Sequence, residues 1–350
     1  MAKNKKQKQK KSGSNDKANT KKKAAPPSDN ACWIGFDLGG TKMLAEVYDH
    51  KFRPLGNERK RTKGFLGQEI GLERIIETIK EAKSAAGVDA NDLAGIGIGV
   101  PGPVDLDHGV MVSAPNLGWK NVELKTILEK TFKCPVHVAN DVDIGLYGEY
   151  RFGAAQKSRC AIGVFPGTGI GGGCIYEGSI FRGSVLSCME MGHMQMLQGG
   201  PAGGGSLEAL ASRLGICSAA AVAAYRGKAP YLMNHYGTDL SDIRSGALAA
   251  SVKNGDKEVE TIIRKAAQWL GLALANTINL MSPDTIVLGG GLVEAIPELY
   301  LEEVKQTANK TVMPVYRNTY KVKVAELGDH AAVKGAAAWA QYNIQNTESP

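Results

Sequence analysis

Two glycine-rich stretches of the chain carry residue types that could hold phosphate groups. Residues 37–42 read DLGGTK after the apolar run ACWIGF, and residues 167–172 read GTGIGG after the apolar run CAIGVFP. Each offers glycine N–H groups and a threonine hydroxyl, and such groups bind anions. If the two stretches lie in opposite halves of the fold, both could contact the phosphates of one nucleotide. The residues predicted to bind these phosphates are Asp37, Gly39, Gly40, Thr41, Lys42, Gly167, Thr168 and Gly169.

Asp37 needs a separate explanation, because an acid beside an anion site would repel a phosphate. Its position makes sense if Mg²⁺ lies between the carboxylate and the phosphates, so we predict that Asp37 holds Mg²⁺ through water. Lys42 could add a compensating charge, although a lysine in a hairpin is equally compatible with a solvated position. The sequence therefore predicts a site for a magnesium nucleotide.

A dinucleotide site is the competing interpretation of these glycines. The pattern G-x-G-x-x-G occurs at 167–172 and again at 97–102. In a dinucleotide-binding unit this pattern follows a strand and opens a helix. Here the first match runs into CIYEGSIF, a second strand, and the other match runs into Pro103 and a loop. The pattern thus excludes a dinucleotide site, and a glycine turn that serves only a tight hairpin stays the alternative for each stretch.

A third set of polar residues ends an extended segment. Residues 135–141 read PVHVAND, and ligands usually bind at the carboxyl ends of strands in α/β folds. Asn140 and Asp141 are therefore candidate site residues. The structural alternative is that Asp141 caps the helical segment IGLYGEYRF that follows, since aspartate is a common N-cap.

The elements that must position these residues alternate along the first half of the chain. Residues 33–49 read as strand, turn and strand. Residues 71–87 have apolar positions at i, i+3, i+4 and i+7, which predicts a helix that packs on a sheet. A strand over 93–100, a helix over 121–132 and the extended segment 135–141 follow.

The second half opens with the same pattern. Residues 159–183 again read as strand, glycine-rich turn and strand, and 259–280 form a long apolar helix. Residues 285–291 are a buried strand that ends in three glycines, and 331–341 are a closing helix. This order predicts an α/β fold with a duplicated unit of β-hairpin, helices and strands, and with a cleft between two lobes.

Charge is distributed unevenly between the start of the chain and its body. Residues 1–27 contain ten lysines and one acid, a net +9, so the total of +7 leaves −2 for the remainder. This segment lacks the apolar residues that would offset the loss of chain entropy on folding, so we predict a disordered basic tail over 1–30. Such a tail could contact anionic surfaces without specificity, and we expect no specific nucleic-acid partner.

Cysteine usage and hydropathy indicate a cytoplasmic protein. The six cysteines are scattered and form no C-x-x-C pair, as expected of reduced thiols. No charged start with an apolar core suggests a signal peptide, and no apolar run approaches the length of a membrane span. We therefore expect no membrane partner.

Taken together, the motifs resemble a known family. FDLGGTK, GVPGPVD with APNLGW, AND, GTGIGGG, EMGH, GSLEA and IVLGGG follow each other in the order and spacing of the ROK family of sugar kinases and repressors. The resemblance covers about residues 33–340 and implies the two-lobed, ribonuclease H-like fold of the actin-like ATPases. It implies a first lobe over 31–141 plus 331–347, a second lobe over 142–330, and ATP and sugar in the cleft.

The resemblance also implies a role for each motif residue. Asp141 would be the general base and Asn140 would bind a sugar hydroxyl. Glu190, His193 and Glu208 would bind the remaining hydroxyls, which suits donor groups that prefer charged acceptors. The implied sugar site consists of Gly102, Asn116, Asn140, Asp141, Glu190, His193 and Glu208, and the implied adenosine-side segment consists of Gly289, Gly290 and Gly291.

One departure from the family pattern concerns zinc. Many members carry C-x-C-x₄-C between the G-H and L-E motifs, and these three cysteines join the histidine in a tetrahedral zinc site. Here the interval reads MQMLQGGPAGGGS, without cysteine, and His193 alone cannot retain zinc. We predict no structural zinc, which leaves open how the loop 194–206 is fixed.

Two classes of function follow from the resemblance. The first is an ATP-dependent hexose kinase, most simply a glucokinase, with an N-acetylglucosamine or N-acetylmannosamine kinase as the alternative. The second is a sugar-responsive regulator, which would need a DNA-binding domain of roughly 60–80 residues before the first hairpin, where we find a lysine-rich segment. We expect a kinase that uses ATP and Mg²⁺ and forms a homodimer.

Overall fold

The computed structural model describes residues 31–89, 92–184, 186, 188–198 and 204–346. The segment 1–30, predicted to be a disordered tail, lies outside the described residues. So do residues 199–203 of the glycine-rich loop.

The strands and helices alternate along the chain. In chain order the strands are β1 (Cys32–Leu38), β2 (Lys42–Tyr48), β3 (Pro54–Arg61), β4 (Leu93–Val100), β5 (Val104–Asp105), β6 (Val110–Ala114), β7 (Trp119–Val122), β8 (Val136–Asn140), β9 (Cys160–Pro166), β10 (Ile170–Tyr176), β11 (Ser179–Ile180), β12 (Thr285–Leu288) and β13 (Lys321–Val324). The α-helices are α1 (Gln68–Ala85), α2 (Leu124–Phe132), α3 (Asp141–Phe152), α4 (Leu207–Ala211), α5 (Arg213–Tyr225), α6 (Pro230–Tyr236), α7 (Ser245–Lys253), α8 (Lys257–Met281), α9 (Gly291–Ala295), α10 (Pro297–Thr311) and α11 (Ala331–Asn346).

Two five-stranded sheets share one topology. The first has the order β3-β2-β1-β4-β8 and the second has the order β11-β10-β9-β12-β13. In each sheet the opening strands pair antiparallel and the later two strands run parallel to the first. The duplicated α/β unit predicted from the sequence is therefore confirmed. A small antiparallel sheet, β5-β6-β7, inserts between β4 and β8.

The predicted helices and strands are present in the structure, with differences at their ends. Asp141, predicted to be extended, begins α3, and Gly291, predicted to end a strand, begins α9. The segment 121–132 was predicted to be helical throughout, whereas the helix α2 begins at Leu124. Trp119–Val122 instead forms β7, which pairs with β6. Asn121 has φ +49°, a left-handed conformation that a helix cannot contain.

Each sheet is covered by an apolar helical face. Ile75 and Ile79 of α1 are fully buried in the core of the first sheet, as the spacing predicted. The long helix α8 buries a continuous face in the core of the second sheet and packs on α10. Among the described residues, no helix is long and apolar enough to span a membrane. None of the six cysteines, all of which lie in the described residues, forms a disulfide bond.

The two halves meet where α3 and α11 cross. A Cβ atom on Gly335 would lie 2.0 Å from the Ile144 carbonyl oxygen and 2.7 Å from the Gly148 nitrogen, so only glycine permits this separation. Two further glycines bring α11 onto the first sheet. A Cβ on Gly35 would lie 1.7 Å from the Val333 carbonyl oxygen, and one on Gly97 would meet α11 in the same way. The lobe boundaries at 141/142 and 330/331 stay a prediction.

Candidate active site

Asp37 and Asp141 lie at one edge of the first sheet. Asp37 is near the end of β1, opposite Gly99 of β4, and Gly99 is opposite Ala139 of β8. Asp141 directly follows β8 and begins α3. Because Gly99 has no side chain, nothing on β4 separates the two carboxylates. Both line one cavity of about 370 Å³.

The two acids have raised pKa values. Burial raises the pKa of Asp141 to about 7, and the nearby Asp37 charge adds to this effect. Burial also raises the pKa of Asp37 to about 6, against the opposing effect of Lys42. A carboxyl that titrates near neutral pH can accept a proton and release it again, which is what a general base requires.

Asn140, and not Asp141, caps helix α3. The Asn140 Oδ1 atom accepts hydrogen bonds from the backbone N–H of Val142 (2.8 Å) and of Asp143 (3.2 Å). Its Nδ2 atom donates to the Gly102 carbonyl oxygen at 3.1 Å. The N-cap interpretation of Asp141 is therefore wrong, since the preceding residue takes that role and leaves Asp141 as the first helical residue. Asn140 also fixes Gly102 of the predicted sugar site.

Thr62 stabilises the first glycine hairpin through two hydrogen bonds. The Thr62 hydroxyl donates to the Gly39 carbonyl oxygen at 2.6 Å, and the Thr62 N–H donates to the Thr41 carbonyl oxygen at 2.9 Å. Gly40 is exposed, and a Cβ there would lie 2.9 Å from Asn116 Nδ2. The hairpin thus contacts the loop that carries Asn116, another residue of the predicted sugar site.

Lys42 is engaged in an ion pair. Its Nζ atom lies 2.8 Å from Asp329 Oδ2, and Arg59 Nη1 lies 3.2 Å from the same oxygen. The structure does not bring Lys42 to the second hairpin. Asp329 was not anticipated from the sequence, because its partners are 270 or more positions away along the chain.

The second glycine hairpin rests on Glu208. The Gly167 N–H donates to the Gly169 carbonyl oxygen at 2.8 Å and closes the turn. Glu208 Oε2 accepts from the Ile170 N–H at 2.9 Å. A Cβ on Gly169 would lie 2.2 Å from this oxygen, and one on Gly192 would lie 3.4 Å from it. Glu208 therefore joins the hairpin to the turn that carries the other predicted sugar-binding residues.

That turn is the short 3₁₀ helix Met191–His193, flanked by Glu190. Glu190 and His193 are exposed, and their side chains have no hydrogen bond to any residue in the described part of the chain. Both are thus free to bind a ligand. Glu190 lies close enough to Asp143 to raise the pKa of that carboxyl, after the larger effect of burial.

Asp143 is a residue that the sequence interpretation missed. It is 1% exposed, and neither carboxylate oxygen has a partner among the described residues. It faces β10, where a Cβ on Gly173 would lie 3.0 Å from Asp143 Oδ1. A charge in such a position is costly unless it is paired, which is why the pKa of Asp143 is raised well above its usual range.

The cavity continues from the two acids towards the second sheet. It is lined by Asp37, Asp141, Val142, Gly145, Phe165, Gly290, Gly291, Glu294, Ala325, Gly328, Asp329, Ala331 and Ala332. Gly289 lies behind it, where a Cβ would meet the Phe165 ring at 2.6 Å. The predicted phosphate-binding residues of both hairpins are outside this lining: Gly39, Gly40, Thr41, Lys42, Gly167, Thr168 and Gly169. Phe165 and Glu294 were also missed, although Glu294 follows the three glycines by one helical turn.

A magnesium nucleotide fits this residue set. Two part-buried acids face the cavity, and the N–H groups of Thr168 and Gly169 have no partner in the described part of the chain. Oxygen ligands suit Mg²⁺, and free N–H groups in a turn suit phosphate. Asp37 would hold the ion through water, and the acid Glu294 could accept hydrogen bonds from ribose hydroxyls.

Comparison with known proteins identifies the family of this chain. Residues 33–343 match the model of the ROK family. The chain belongs to the ROK family. A glucokinase from Halalkalibacterium halodurans is 30% identical over 87% of this chain and 93% of its own length. A xylose repressor from Caldicellulosiruptor bescii is 28% identical over 87% of this chain and 77% of its own length.

A solved structure has the same fold. The ROK family glucokinase from Streptomyces griseus, in complex with glucose and AMPPNP, superposes with a TM-score of 0.77 at 29% identity. The match covers 89% of this chain and all of that one. The fold is thus the actin-like ATPase fold of ROK proteins, as the sequence motifs predicted.

This ROK chain fixes the base of its glycine-rich loop with backbone hydrogen bonds. Gln195 and Ser206 form a β-bridge, and the Leu207 N–H donates to the Met194 carbonyl oxygen at 2.9 Å. The Met196 N–H donates to the Gly205 carbonyl oxygen at 2.8 Å. Within the described residues, no three metal-ligating side chains converge. The absence of structural zinc stays a prediction.

Proposed function

We propose that this chain transfers the γ-phosphoryl group of ATP to the 6-hydroxyl of a hexose, with glucose as substrate. The observation that carries the proposal is that Asp37 and Asp141 line one cavity. Asp37 lies two residues before Gly39 of the first glycine hairpin, and Phe165, which also lines the cavity, lies two residues before Gly167 of the second. The raised pKa of Asp141, about 7, supports its role as general base. The family relatives at about 30% identity include glucokinases, which supports the choice of glucose.

In the proposed reaction the 6-hydroxyl oxygen attacks the γ-phosphorus as Asp141 takes the hydroxyl proton. The new oxygen–phosphorus bond forms as the bond to the β–γ bridging oxygen breaks, and ADP leaves with the electron pair. Bound Mg²⁺ would neutralise charge on the β- and γ-phosphates. The chain's own contribution is to position Asp141 at the start of α3, where Asn140 caps the helix. Hydrogen bonds from Thr62 to the first hairpin and from Ile170 of the second hairpin to Glu208 keep the two hairpins in place.

The sugar hydroxyls would be bound by the residues around the exposed turn. Glu190 and His193 are free of protein partners in the described part of the chain, and Glu208 has one oxygen engaged by Ile170. Asn116 lies beside Gly40, next to the first hairpin. This set supports a polyol ligand, because carboxylates and amides accept hydrogen bonds from hydroxyls.

The test is sugar-dependent ATP consumption by the purified chain. Asp141→Ala should lower kcat by roughly 10²–10⁴, the usual size of general-base effects, with a smaller change in sugar affinity. Asp242→Asn, which changes an exposed aspartate outside both predicted sites, is the control that should keep full activity. Wild-type turnover in the Asp141→Ala protein would overturn the assignment. A panel that includes N-acetylglucosamine and N-acetylmannosamine tests the alternative substrates.

A sugar-responsive regulator is the second candidate. The observation that favours it is the match to the xylose repressor over 77% of that protein. A regulator would bind sugar and show no sugar-stimulated ATP consumption, so the same assay separates the two. Formation of a homodimer and a cytoplasmic location remain predictions.

A further inference from the structure

Arg213 forms two hydrogen bonds to the turn of the second hairpin. It is the first residue of α5, after Ser212, whose hydroxyl caps that helix. The Arg213 backbone N–H donates to the Gly167 carbonyl oxygen at 2.9 Å. Its guanidinium Nη2 atom donates to the Thr168 hydroxyl oxygen, also at 2.9 Å. Both the backbone and the charged end of this residue are thus fixed on the segment predicted to bind phosphate.

The surroundings of this cleft are strongly acidic. The acidic residues that line it or lie beside it are Asp37, Asp141, Glu190, Glu208 and Glu294. The basic side chains next to the first hairpin, Lys42 and Arg59, share the carboxylate of Asp329. A bound triphosphate would therefore need a further cation from the protein, in addition to its metal ion.

The Arg213 guanidinium is not neutralised by a carboxylate in the described part of the chain, and several of its N–H donors are unused. Within the described ranges it forms no ion pair with a carboxylate. A guanidinium has five N–H donors, and Thr168 accepts only one of them. Arg213 also lies near the Cys217 thiol: burial raises the pKa of this thiol, and the Arg213 charge opposes the rise. The hydroxyl hydrogen of Thr168 is not needed for the bond to Arg213, so it can be donated to an anion.

We propose that Arg213 is a phosphate-binding residue, which contacts the terminal phosphate of the nucleotide together with Thr168. This inference rests on the proposed function, since it assigns the charge partner of the same nucleotide. Arginine suits the role because its planar fork binds phosphate oxygens through two parallel hydrogen bonds. A cation fixed beside the second hairpin would also stabilise the charge that the phosphoryl group carries during transfer.

The experiment measures the binding of ATP, ADP and glucose to the full chain by calorimetry in the presence of Mg²⁺. Arg213→Gln should weaken ATP binding about 10- to 100-fold, the size expected for loss of a charged hydrogen bond. ADP and glucose binding and the melting temperature should change little. Arg213→Lys should recover part of the ATP affinity, because it restores the charge without the fork. Arg226→Gln, which removes an exposed arginine at the other end of α5, is the matched control and should bind as wild type.

The results separate phosphate binding by Arg213 from a purely structural role. Equal losses for ATP, ADP and glucose, with a lower melting temperature, would show that Arg213 only braces the hairpin. Unchanged ATP binding would overturn the proposal outright. If the wild type binds ATP but phosphorylates no hexose, the proposed function fails while the contrast between ATP and ADP still decides the role of Arg213. If the wild type binds no nucleotide, both proposals fail.

Discussion

Asp141 should control the pH dependence of turnover. Its pKa is raised to about 7 by burial and by the Asp37 charge. A general base must be deprotonated, so kcat/KM should be constant above about pH 8 and fall as the pH drops below 7, tenfold per unit. The check is a rate profile from pH 5 to 9 at fixed free Mg²⁺. A profile that is flat through pH 6 would contradict the assignment.

Asp143 should make the protein less stable at high pH. Folding raises its pKa, so the folded state holds the proton more tightly, and the stability this provides is lost as the pH rises. Asp143→Asn removes the titration. The variant should gain about 1–3 kcal/mol over the wild type at pH 8, because a neutral amide avoids the cost of ionising a buried carboxyl and each unit of raised pKa corresponds to about 1.4 kcal/mol. The gain should be much less at pH 5. Urea denaturation at both pH values measures this difference.

The control for Asp143 is Asp242→Asn, which changes an exposed aspartate. Its effect on the free energy of unfolding should be small at both pH values. A destabilised Asp143→Asn protein at pH 8 would show that the carboxylate has a charged partner.

Local patterns predicted Asn140 and Asp141 as candidate site residues but not their neighbour Asp143. Asn140 ends β8 and Asp141 follows it, a position that the sequence makes visible. Asp143 stands in a helical segment, where an aspartate is usually solvent-facing. Its burial arises because β10 presents Gly173 to α3, and no spacing rule predicts which strand a helix face will meet.

Helices α3 and α11 cross at close range, and glycines of both helices lie in the contact. Gly335→Ala would place a Cβ 2.0 Å from the Ile144 carbonyl oxygen. The helices must then move apart, so we expect a loss of about 1–3 kcal/mol in the free energy of unfolding. Activity should fall as well, because α3 carries Asp141. The measurement is urea denaturation alongside the kinase assay.

Gly246→Ala is the matched control for Gly335→Ala. Gly246 lies in α7, and a Cβ there would have no neighbour within 4 Å. Alanine favours a helix over glycine by up to about 1 kcal/mol, so this variant should be as stable as wild type or more so. A similar loss in both variants would contradict the packing argument.

Helices and strands that have a clear pattern in their own residues were predicted. Those that form only because another segment pairs with them were not. The hairpins and the helices α1, α8 and α11 follow from apolar spacing and glycine turns. The strand β7 has only four residues, and it exists because β6 lies beside it. The base of the loop at Gln195 and Ser206 is likewise set by pairing across an interval, which composition does not reveal.

For the molecule as a whole, we expect sugar binding to close the cleft. The hairpins belong to different sheets, and the predicted sugar residues come from both, so a sugar that bridges them favours the closed form. Glucose should reduce hydrogen exchange in 190–208 and in 99–119. Exchange in α10, at 297–311, is the internal control and should not change. Equal exchange with and without saturating glucose in both segments would contradict closure.

The position of α11 has a consequence for how the chain is synthesised. This helix packs on β1 and β4 through Gly35 and Gly97, yet Ala331 leaves the ribosome 191 residues after Asn140. Until then, one apolar face of the first sheet has no cover. The first half of a nascent chain therefore cannot complete its folding when its synthesis ends. It must keep an aggregation-prone surface exposed while the second half is translated. Cells that produce it in quantity should need chaperone capacity in proportion to that delay.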